Sequence, residues 1–319
     1  MALGGSVIAV LGECVADAFS GEAVRGELVL RVLPGGGPAN TAVALGRLGT
    51  PTRFLGRISG DVFGRLFRER LAGAGVDVSG VVDAAEPSTL AVAALDAAGR
   101  AVYSFHADGA ADFQWSRAEL GLDRLGGASC LHTGSLALVK EPGAEEVARF
   151  VAAAAPYATI SVDPNVRPGL AGREAYLKRL PGGADILRLS EEDLAFLLPG
   201  TSQEAACDRW HGQGVRLVVV TRGAAGAMVS LDGERVVVPG VPVEVVDTVG
   251  AGDAFTAGLL HRLHGHLGGR LDRLDLETAH AAAEFAAEVA ALTCTVAGAD
   301  LPDLPDLPGR RPAAGLTDD

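Results

Sequence analysis

The sequence predicts an α/β protein built on a mostly parallel β-sheet with helices on both faces. Short apolar runs alternate with helical patterns along the 319 residues, and these runs are apolar on both faces. A parallel sheet explains both observations, because its strands are buried and are joined by crossover helices. Ligands bind beyond the carboxyl ends of such strands, so the residues that follow each run are the candidates for function.

The elements follow one another in a regular order. Strands are predicted at 6–13, 52–59, 158–163, 184–190 and 216–221. Between and after them, apolar residues recur at helical spacing over 39–49, 62–75, 145–157, 202–214 and 254–267.

Two segments break this order. Residues 20–34 and 88–108 contain strand-like runs with no helix between them, and the second has a DAAGR turn followed by alternating V-Y-S-F-H, which is typical of a hairpin. They predict a small, discontinuous second sheet that covers a site on the larger domain; the alternative is peripheral hairpins that extend the main sheet. The predicted division is a core at 1–19, 35–87 and 112–319, a β lid at 20–34 and 88–111, and a Pro-rich irregular tail at 300–319.

Composition narrows the class of partner and compartment. The net charge is −13 with no long basic run, which argues against nucleic acid or an anionic membrane as a partner. No stretch reaches the roughly 18 apolar residues of a membrane helix. The four cysteines are far apart and form no C-x-x-C pair, which favours reduced thiols. We therefore expect a soluble, cytoplasmic protein.

The stretch DTVGAGDAF (247–255) precedes a helical pattern and places glycines at its N-terminus. Free N–H groups and the positive end of the helix dipole make such a position an anion site. Asp253 suits a general base that activates a hydroxyl, while the backbone of Gly250, Ala251 and Gly252 stabilises a transferred phosphoryl group. The alternative is that Asp253 only caps the helix and the glycines only make a turn.

A second motif, GGGPANTAVALGRLG (35–49), also opens a helical pattern. The backbone of Gly36 and Gly37 can pack against a small polar ligand, and the Asn40 amide can both donate and accept hydrogen bonds. No Lys-Ser/Thr pair follows the glycines, so this is no Walker A loop, and Asn40 occupies the place of the last glycine in a dinucleotide fingerprint.

Together these two motifs resemble the signatures of the PfkB/ribokinase family of ATP-dependent sugar and nucleoside kinases, and the resemblance extends from Val7 to about Ala299. It implies a three-layer α/β/α ribokinase-like core, a small β-sheet lid that closes over the site, and lids that pair into a homodimer. It also implies ATP, Mg²⁺ and, in many members, a monovalent cation such as K⁺. Lid closure would exclude water during phosphoryl transfer.

The resemblance implies a set of sugar-binding residues. Asp17 matches the acid that binds sugar hydroxyls, with a solvated loop acid as the alternative reading. In SVDPNVR, Asn165 and Arg167 resemble the D-P-N-x-R stretch of fructokinase-like members, where the planar guanidinium of Arg167 suits substrate or phosphate; a surface ion pair is the alternative. Phe105 would pack on the sugar or on the partner lid, and residues 110–112 would rim the pocket.

It also implies nucleotide and cation contacts. Thr221, Gly223 and Gly226 in VTRGAAG resemble the nucleotide loop, with Asn165 and Ser190 nearby, and 284–299 resembles the wall of the adenine pocket. A monovalent-cation site would use Asp247, Val249 and Gly298. The family motif N-x-x-E, which organises Mg²⁺ through water, reads S-E-E-D here, so Glu192 and Asp193 both remain candidates.

The lid segment YSFHADGAADFQW and the stretch CLHTGSL resemble fructokinase-like proteins and favour a ketohexose such as fructose. A 2-keto-3-deoxygluconate kinase or a nucleoside kinase would use the same core. A catalytically silent sugar or nucleotide sensor belongs to another class, and an intact G-A-G with Asp253 argues against it. A dinucleotide-dependent oxidoreductase is disfavoured because no G-x-G-x-x-G follows the first strand.

Overall fold

The computed structural model describes residues 7–21, 25–95, 101–269 and 271–299. In these ranges the strands are β1 Ile8–Leu11, β2 Val15–Ser20, β3 Leu30–Gly35, β4 Thr52–Leu55, β5 Arg57–Ser59, β6 Val82–Ala84, β7 Thr89–Leu95, β8 Ala101–His106, β9 Cys130–Gly134, β10 Thr159–Asp163, β11 Ile186–Ser190, β12 Leu217–Thr221, β13 Ala227–Leu231 and β14 Glu234–Val238. The helices are α1 Gly37–Arg47, α2 Val62–Gly73, α3 Gly143–Ala154, α4 Arg173–Arg179, α5 Glu191–Leu197, α6 Gln203–His211, α7 Ala251–Arg262 and α8 Leu276–Thr293.

The predicted α/β class is confirmed. Eight strands form one sheet in the order β14-β13-β12-β11-β10-β9-β1-β4. The pairs from β12 to β4 are parallel, and β13 and β14 add an antiparallel edge. Side chains alternate between the two faces along each strand. In β1, Ile8 and Val10 therefore pack with α1, α2, α7 and α8, while Ala9 and Leu11 pack with α3 to α6.

The structure differs from the sequence-based elements at two places. The prediction of a single strand over 52–59 is wrong, because Gly56 separates β4 from β5 and β5 pairs only with β6 in a two-stranded sheet. The sequence analysis did not assign β9, although it lies in the middle of the large sheet. Its residues Cys-Leu-His-Thr-Gly include polar side chains, and these are buried because they have partners: Thr133 Oγ1 donates to the Leu11 carbonyl at 2.9 Å.

The two segments that break the strand–helix order form a separate small sheet in the order β3-β2-β7-β8. They do not extend the main sheet, so the alternative of peripheral hairpins is wrong. The sheet also takes in Val15–Ser20, which precedes the predicted boundary at residue 20. The DAAGR turn and the predicted tail at 300–319 lie outside the described residues.

Asp112 joins three of the four chain connections between the small sheet and the core. Its Oδ1 accepts the N–H of Cys14, just before β2, at 2.8 Å, and its Oδ2 accepts the hydroxyl of Thr89, the first residue of β7, at 2.7 Å. Asp112 itself follows β8. Burial, with the nearby Glu13 carboxylate, raises the pKa of Asp112 to about 7. This side chain therefore fixes where the small sheet meets the core.

None of the helices in the described part of the chain has the length and apolarity that a membrane crossing requires.

Replacing Asp112 with alanine should lower the free energy of unfolding by about 2–3 kcal/mol, because the buried Cys14 N–H loses its acceptor and Thr89 its partner. Asp112→Asn keeps an acceptor of the same shape and should cost less than about 1 kcal/mol. Urea denaturation at neutral pH measures both changes. An Asp112→Ala variant as stable as the wild type would contradict this role.

Candidate active site

The site lies at the carboxyl edge of the parallel strands, as the sequence analysis expected. Here the loops after β9 and β10 meet the first turns of α1 and α7. They enclose a pocket lined by Gly37, Pro38, Thr41, His132, Gly134, Ser135, Asp163, Asn165 and Asp253. The two sequence motifs therefore contribute to one pocket.

Asp253 is the acid at the centre of this pocket. It lies in the first turn of α7 and is 9% exposed. Asn40, 213 residues earlier in the chain, donates its amide N–H to Asp253 Oδ2 at 2.8 Å, and Asn165 Nδ2 lies 3.4 Å from Oδ1. Burial raises the pKa of Asp253 to about 7, and the Asn40 hydrogen bond opposes that rise. A carboxylate with a pKa near neutrality suits proton transfer from a hydroxyl.

The helix cap is Gly250 and not Asp253, so the capping alternative is wrong. Gly250 has a left-handed backbone (φ 78°), which glycine adopts without strain, and a Cβ there would meet Ala299. The N–H groups in the first turn of an α-helix have no acceptor within the helix, and those of the 12-residue α7 lie at the pocket. The Ala251 N–H donates to the Thr248 carbonyl at 3.2 Å, so an anion would compete for it.

A buried ion pair lies beneath this turn. Arg188 on β11 pairs with Asp163 on β10 at 2.9 Å and donates to Thr221 Oγ1 on β12 at 2.6 Å. Its guanidinium packs against the backbone of Gly252, where a Cβ would lie 2.7 Å from Nη1. The Nε of Arg188 is buried and has no acceptor among the described residues. A positive charge therefore lies directly under the predicted anion site.

Two of the sugar-binding candidates, Asp17 and Phe105, lie on the small sheet. Asp17 lies on β2, and burial raises its pKa to about 6. In register across the small sheet, Asp17 pairs with Ala91 and Ala91 pairs with Phe105. Residues in one cross-strand row share a face of the sheet, so Asp17 and Phe105 point to the same side. Gly36 (φ 100°) is the N-cap of α1, which begins at Gly37.

Arg167 follows Asn165 in the loop after β10 and is exposed. Its guanidinium donates to the carbonyls of Asn165 and Val166 at 3.3 and 3.2 Å. It also lowers the pKa of both Asp17 and Asp253, so its charge acts on both acids of the site.

The two residues predicted to organise Mg²⁺ have different surroundings: Asp193 is bound within the protein, and Glu192 is exposed. Ser190 and Asp193 form a capping box at the start of α5, and Asp193 also accepts the Val166 N–H at 2.8 Å. Both carboxylate oxygens of Asp193 thus have protein donors, whereas Glu192 is exposed. No group of three or more His, Cys, Asp or Glu side chains within the described ranges could hold a metal ion.

The other predicted nucleotide and cation residues lie on neighbouring loops. Thr221 ends β12, and the turn after it carries Gly223, which is exposed, and Gly226, which is buried. The Asp247 carboxylate accepts the N–H groups of Val249 at 3.0 Å and Gly298 at 2.9 Å, so the three predicted cation residues lie together.

Three residues of the site were not identified from the sequence: Asp163, Arg188 and Arg70, whose guanidinium donates to the Asn40 side chain. A charged residue inside an apolar strand run, as in I-L-R-L-S, is a signal that would have identified Arg188, because a buried charge requires a partner. Arg70 carries no such signal, since it lies in the last turn of an ordinary amphipathic helix.

A carboxylate beside a helix N-terminus, in a pocket at the carboxyl edge of a parallel sheet, suits phosphoryl transfer to a small molecule. The chain belongs to the pfkB family of carbohydrate kinases, whose family model matches residues 6–307. It is an ATP-dependent carbohydrate kinase, and the predicted ribokinase-like fold is confirmed.

Similar proteins are fructokinases. The fructokinase of Rhizobium leguminosarum bv. trifolii is 36% identical over 261 residues, which cover 81% of this chain and 79% of that protein. The fructokinase of Xylella fastidiosa with bound ATP has a TM-score of 0.84 at 28% identity, covering 92% of this chain and 94% of that chain. The fructokinase of Vibrio cholerae O395 has a TM-score of 0.78 at 28% identity, covering 92% of this chain and 94% of that chain. It is described with fructose, ADP and calcium and, as a double mutant, with fructose, ADP and potassium.

Because Asp253 is buried, a variant that lacks its charge should be more stable than the wild type at high pH. A raised pKa means that the folded state binds more protons than the unfolded state, so the wild type loses stability as pH rises from about 4 to about 7. The difference in free energy of unfolding between Asp253→Asn and the wild type should therefore grow in favour of the variant by about 2 kcal/mol from pH 5 to pH 8. Urea denaturation at both pH values measures this; a gain that does not depend on pH would contradict it.

Proposed function

We propose that this kinase phosphorylates a ketohexose, fructose above all, with Asp253 as the general base. The observation that carries this proposal is the hydrogen bond from Asn40 to Asp253, which joins the two motifs around a carboxylate whose pKa is near 7. The relatives named fructokinase support the choice of sugar, because a fructokinase at TM-score 0.78 is described with fructose bound.

In the proposed reaction, a sugar hydroxyl donates a hydrogen bond to the Asp253 carboxylate. The proton moves to that carboxylate as the sugar oxygen forms a bond to the γ-phosphorus of ATP, and the bond from phosphorus to the leaving ADP oxygen breaks. The N–H groups of Gly250 and Gly252, with Ala251 between them, stabilise the charge on the transferred group.

The sugar would be held by Asp17, Gly36, Gly37 and Asn40. A carboxylate such as Asp17 accepts two hydroxyl hydrogen bonds, and its exposed neighbour Phe105 offers an apolar surface on the same side of the small sheet. Arg167, whose charge acts on both acids, would assist with substrate or phosphate. Closure of the small sheet as a lid would exclude water from this pocket.

ATP would contact the loop formed by Thr221, Gly223 and Gly226, with Asn165 and Ser190 near its phosphates. Mg²⁺, when bound, would neutralise charge on the phosphate oxygens. Magnesium sites in kinases rely on one or two carboxylates plus phosphates, which fits a chain with no carboxylate cluster among the described residues. The exposed Glu192 fits this role through water better than Asp193, whose oxygens have protein donors.

A K⁺ site is proposed at Asp247, Val249 and Gly298. Hydrogen bonds from the last two residues to Asp247 bring their backbone together, and backbone carbonyls are the ligands that such ions prefer.

We also propose that the enzyme works in the cytoplasm. All four cysteines are free and three are buried, which suits a reducing compartment.

Substituting Asp253 with asparagine should reduce kcat at least about a hundredfold, the usual size of a general-base contribution. The assay measures ADP release with fructose, other hexoses, ribose, 2-keto-3-deoxygluconate and adenosine as acceptors. Fructose should give the highest kcat/KM. Asp272→Asn is the matched control, because this exposed acid pairs with Arg216 at the surface, and it should retain wild-type activity.

Each other outcome of that assay has a defined meaning. If another acceptor gives the highest kcat/KM, that acceptor replaces fructose as the proposed substrate; 2-keto-3-deoxygluconate or adenosine would identify the corresponding alternative kinase. If the wild type binds a sugar but releases no ADP, the protein is the catalytically silent sensor. If Asp253→Asn retains full activity, Asp253 is not the general base.

The small sheet also supports a homodimer. Apolar side chains are exposed on β2 and in the connection that leads into β3: Phe19 is 39% exposed, Leu28 55% and Val29 75%. Exposed apolar side chains of this kind mark an association surface, and we propose that the sheets of two copies cover each other here.

A Val29→Asp variant should therefore sediment as a monomer where the wild type sediments as a dimer, because it places a charge in the apolar contact. Val62→Asp alters a valine that is 59% exposed on α2 and should leave the dimer intact. Sedimentation velocity over a range of concentrations measures both. A wild type that stays monomeric throughout contradicts the proposed homodimer.

A further inference from the structure

Arg70 lies outside both sequence motifs, in the last turn of α2, and yet it reaches the active site. One guanidinium nitrogen, Nη1, donates to the Asn40 Oδ1 at 2.8 Å. The other, Nη2, donates to the Ala299 carbonyl at 2.9 Å. One half-buried side chain thus connects α2, α1 and the segment that follows α8.

The first of these contacts determines which way the Asn40 amide points. Arginine has only donors, so the atom of Asn40 that faces it must be the carbonyl oxygen. The amide nitrogen must then point the other way, where it meets Asp253 Oδ2 at 2.8 Å. An ionised carboxylate has only acceptors, so both neighbours of Asn40 require the same orientation. Without Arg70, Asn40 is held from one side only.

The second contact supports the anion site. Ala299 packs against Gly250, the cap of α7, where a Cβ would lie 2.5 Å from the Ala299 Cβ. Its neighbour Gly298 donates to Asp247 Oδ2 at 2.9 Å. By holding the Ala299 carbonyl, Arg70 fixes the segment against which the Gly250 turn packs.

We propose that Arg70 is a positioning residue for phosphoryl transfer: it orients the Asn40 amide toward Asp253 and fastens residue 299 behind the Gly250 turn. The proposal rests on the proposed role of Asp253 as the base. Arg70 acts through Asn40 and the backbone, and is not itself a catalytic residue.

Other charges act on the same acids and must be separated from this effect. Asp253 also feels Asp163, Arg167 and Arg188, and the charge of Arg70 lowers the pKa of Asp17 and of Cys14. Removing Arg70 therefore changes the field at the sugar-binding acid as well, and this part should appear in the KM for sugar. The loss of orientation should appear in kcat and in the pH at which activity falls.

The test compares Arg70→Met with Arg65→Met, a matched control because Arg65 is exposed on the same helix. Arg70→Met should lower kcat roughly tenfold, since small misplacements of catalytic groups carry such effects. The acidic limb of the pH profile of kcat should move upward by about half a pH unit, because the Asn40 hydrogen bond that opposes the raised pKa of Asp253 is weakened. Arg65→Met should match the wild type in both.

A double-mutant cycle with Asn40→Ala tests whether Arg70 acts through Asn40. In the Asn40→Ala background, Arg70→Met should reduce kcat by about twofold to threefold instead of about tenfold, because the contact with Asn40 is already gone and only the contact with the Ala299 carbonyl remains to be lost. Arg70→Lys restores a donor and a charge and should recover part of the lost kcat. It also serves as the test variant if Arg70→Met does not fold.

Three results would overturn the proposal. The first is an Arg70→Met variant with the kcat and pH limb of Arg65→Met. The second is a full, multiplicative loss in the Asn40→Ala background. The third is an Arg70→Met variant that is less stable than the wild type but whose activity falls at the same acidic pH, which indicates a structural role only. An active Asp253→Asn enzyme would instead reject the base and the Arg70 proposal together, so the two failures are distinguishable.

Discussion

The structure depends on one constraint: the carboxylate of Asp253 lies in a buried pocket and must have hydrogen-bond donors there. A buried carboxylate without donors is strongly destabilising, and Asn40 supplies the close donor at 2.8 Å. That requirement determines how α1 and α7 pack, because the first turns of both helices must meet at the same edge of the sheet. It also explains why two motifs so distant in sequence form one site.

Charges are also buried under the pocket. Asp163 and Arg188 are both almost fully buried in the sheet, and Thr256 on α7 also donates to Asp163 Oδ2, at 3.0 Å. A buried ion pair contributes little net stability, since the cost of desolvation offsets the attraction. An Arg188 Nε with no acceptor in the described part of the chain adds to that cost. A purely structural sheet would carry apolar residues here, so this pair is best understood by its position beneath Gly252 and α7.

The sequence predicted those parts of the fold that follow from local pattern. The strands β1, β10, β11 and β12 are mostly apolar runs, and the glycines of DTVGAGDAF mark the start of α7, so both could be located from residue order alone. The strand β9 could not, because its His132 and Thr133 are polar and are buried only through partners on other strands. Arg70 escaped for the same reason, because its role is set by contacts between elements, which one-dimensional spacing does not contain. Arg188 differs, since a charge inside the apolar run I-L-R-L-S is visible in the sequence.

The division of the site between two sheets has a consequence for the chemistry. Asp253 is fixed to the core by Asn40, whereas Asp17 and Phe105 belong to the small sheet. The base and the proposed sugar-binding acid therefore stand on different bodies, and their separation depends on how the small sheet sits on the core. Asp112 fastens three of the four connections at one point, and the fourth runs from the end of β3 at Gly35 to the start of α1 at Gly37. A rotation there would move Asp17 relative to Asp253 while leaving the anion site at Gly250 unchanged. Such an arrangement would let sugar binding, through Asp17, determine when the base meets its hydroxyl.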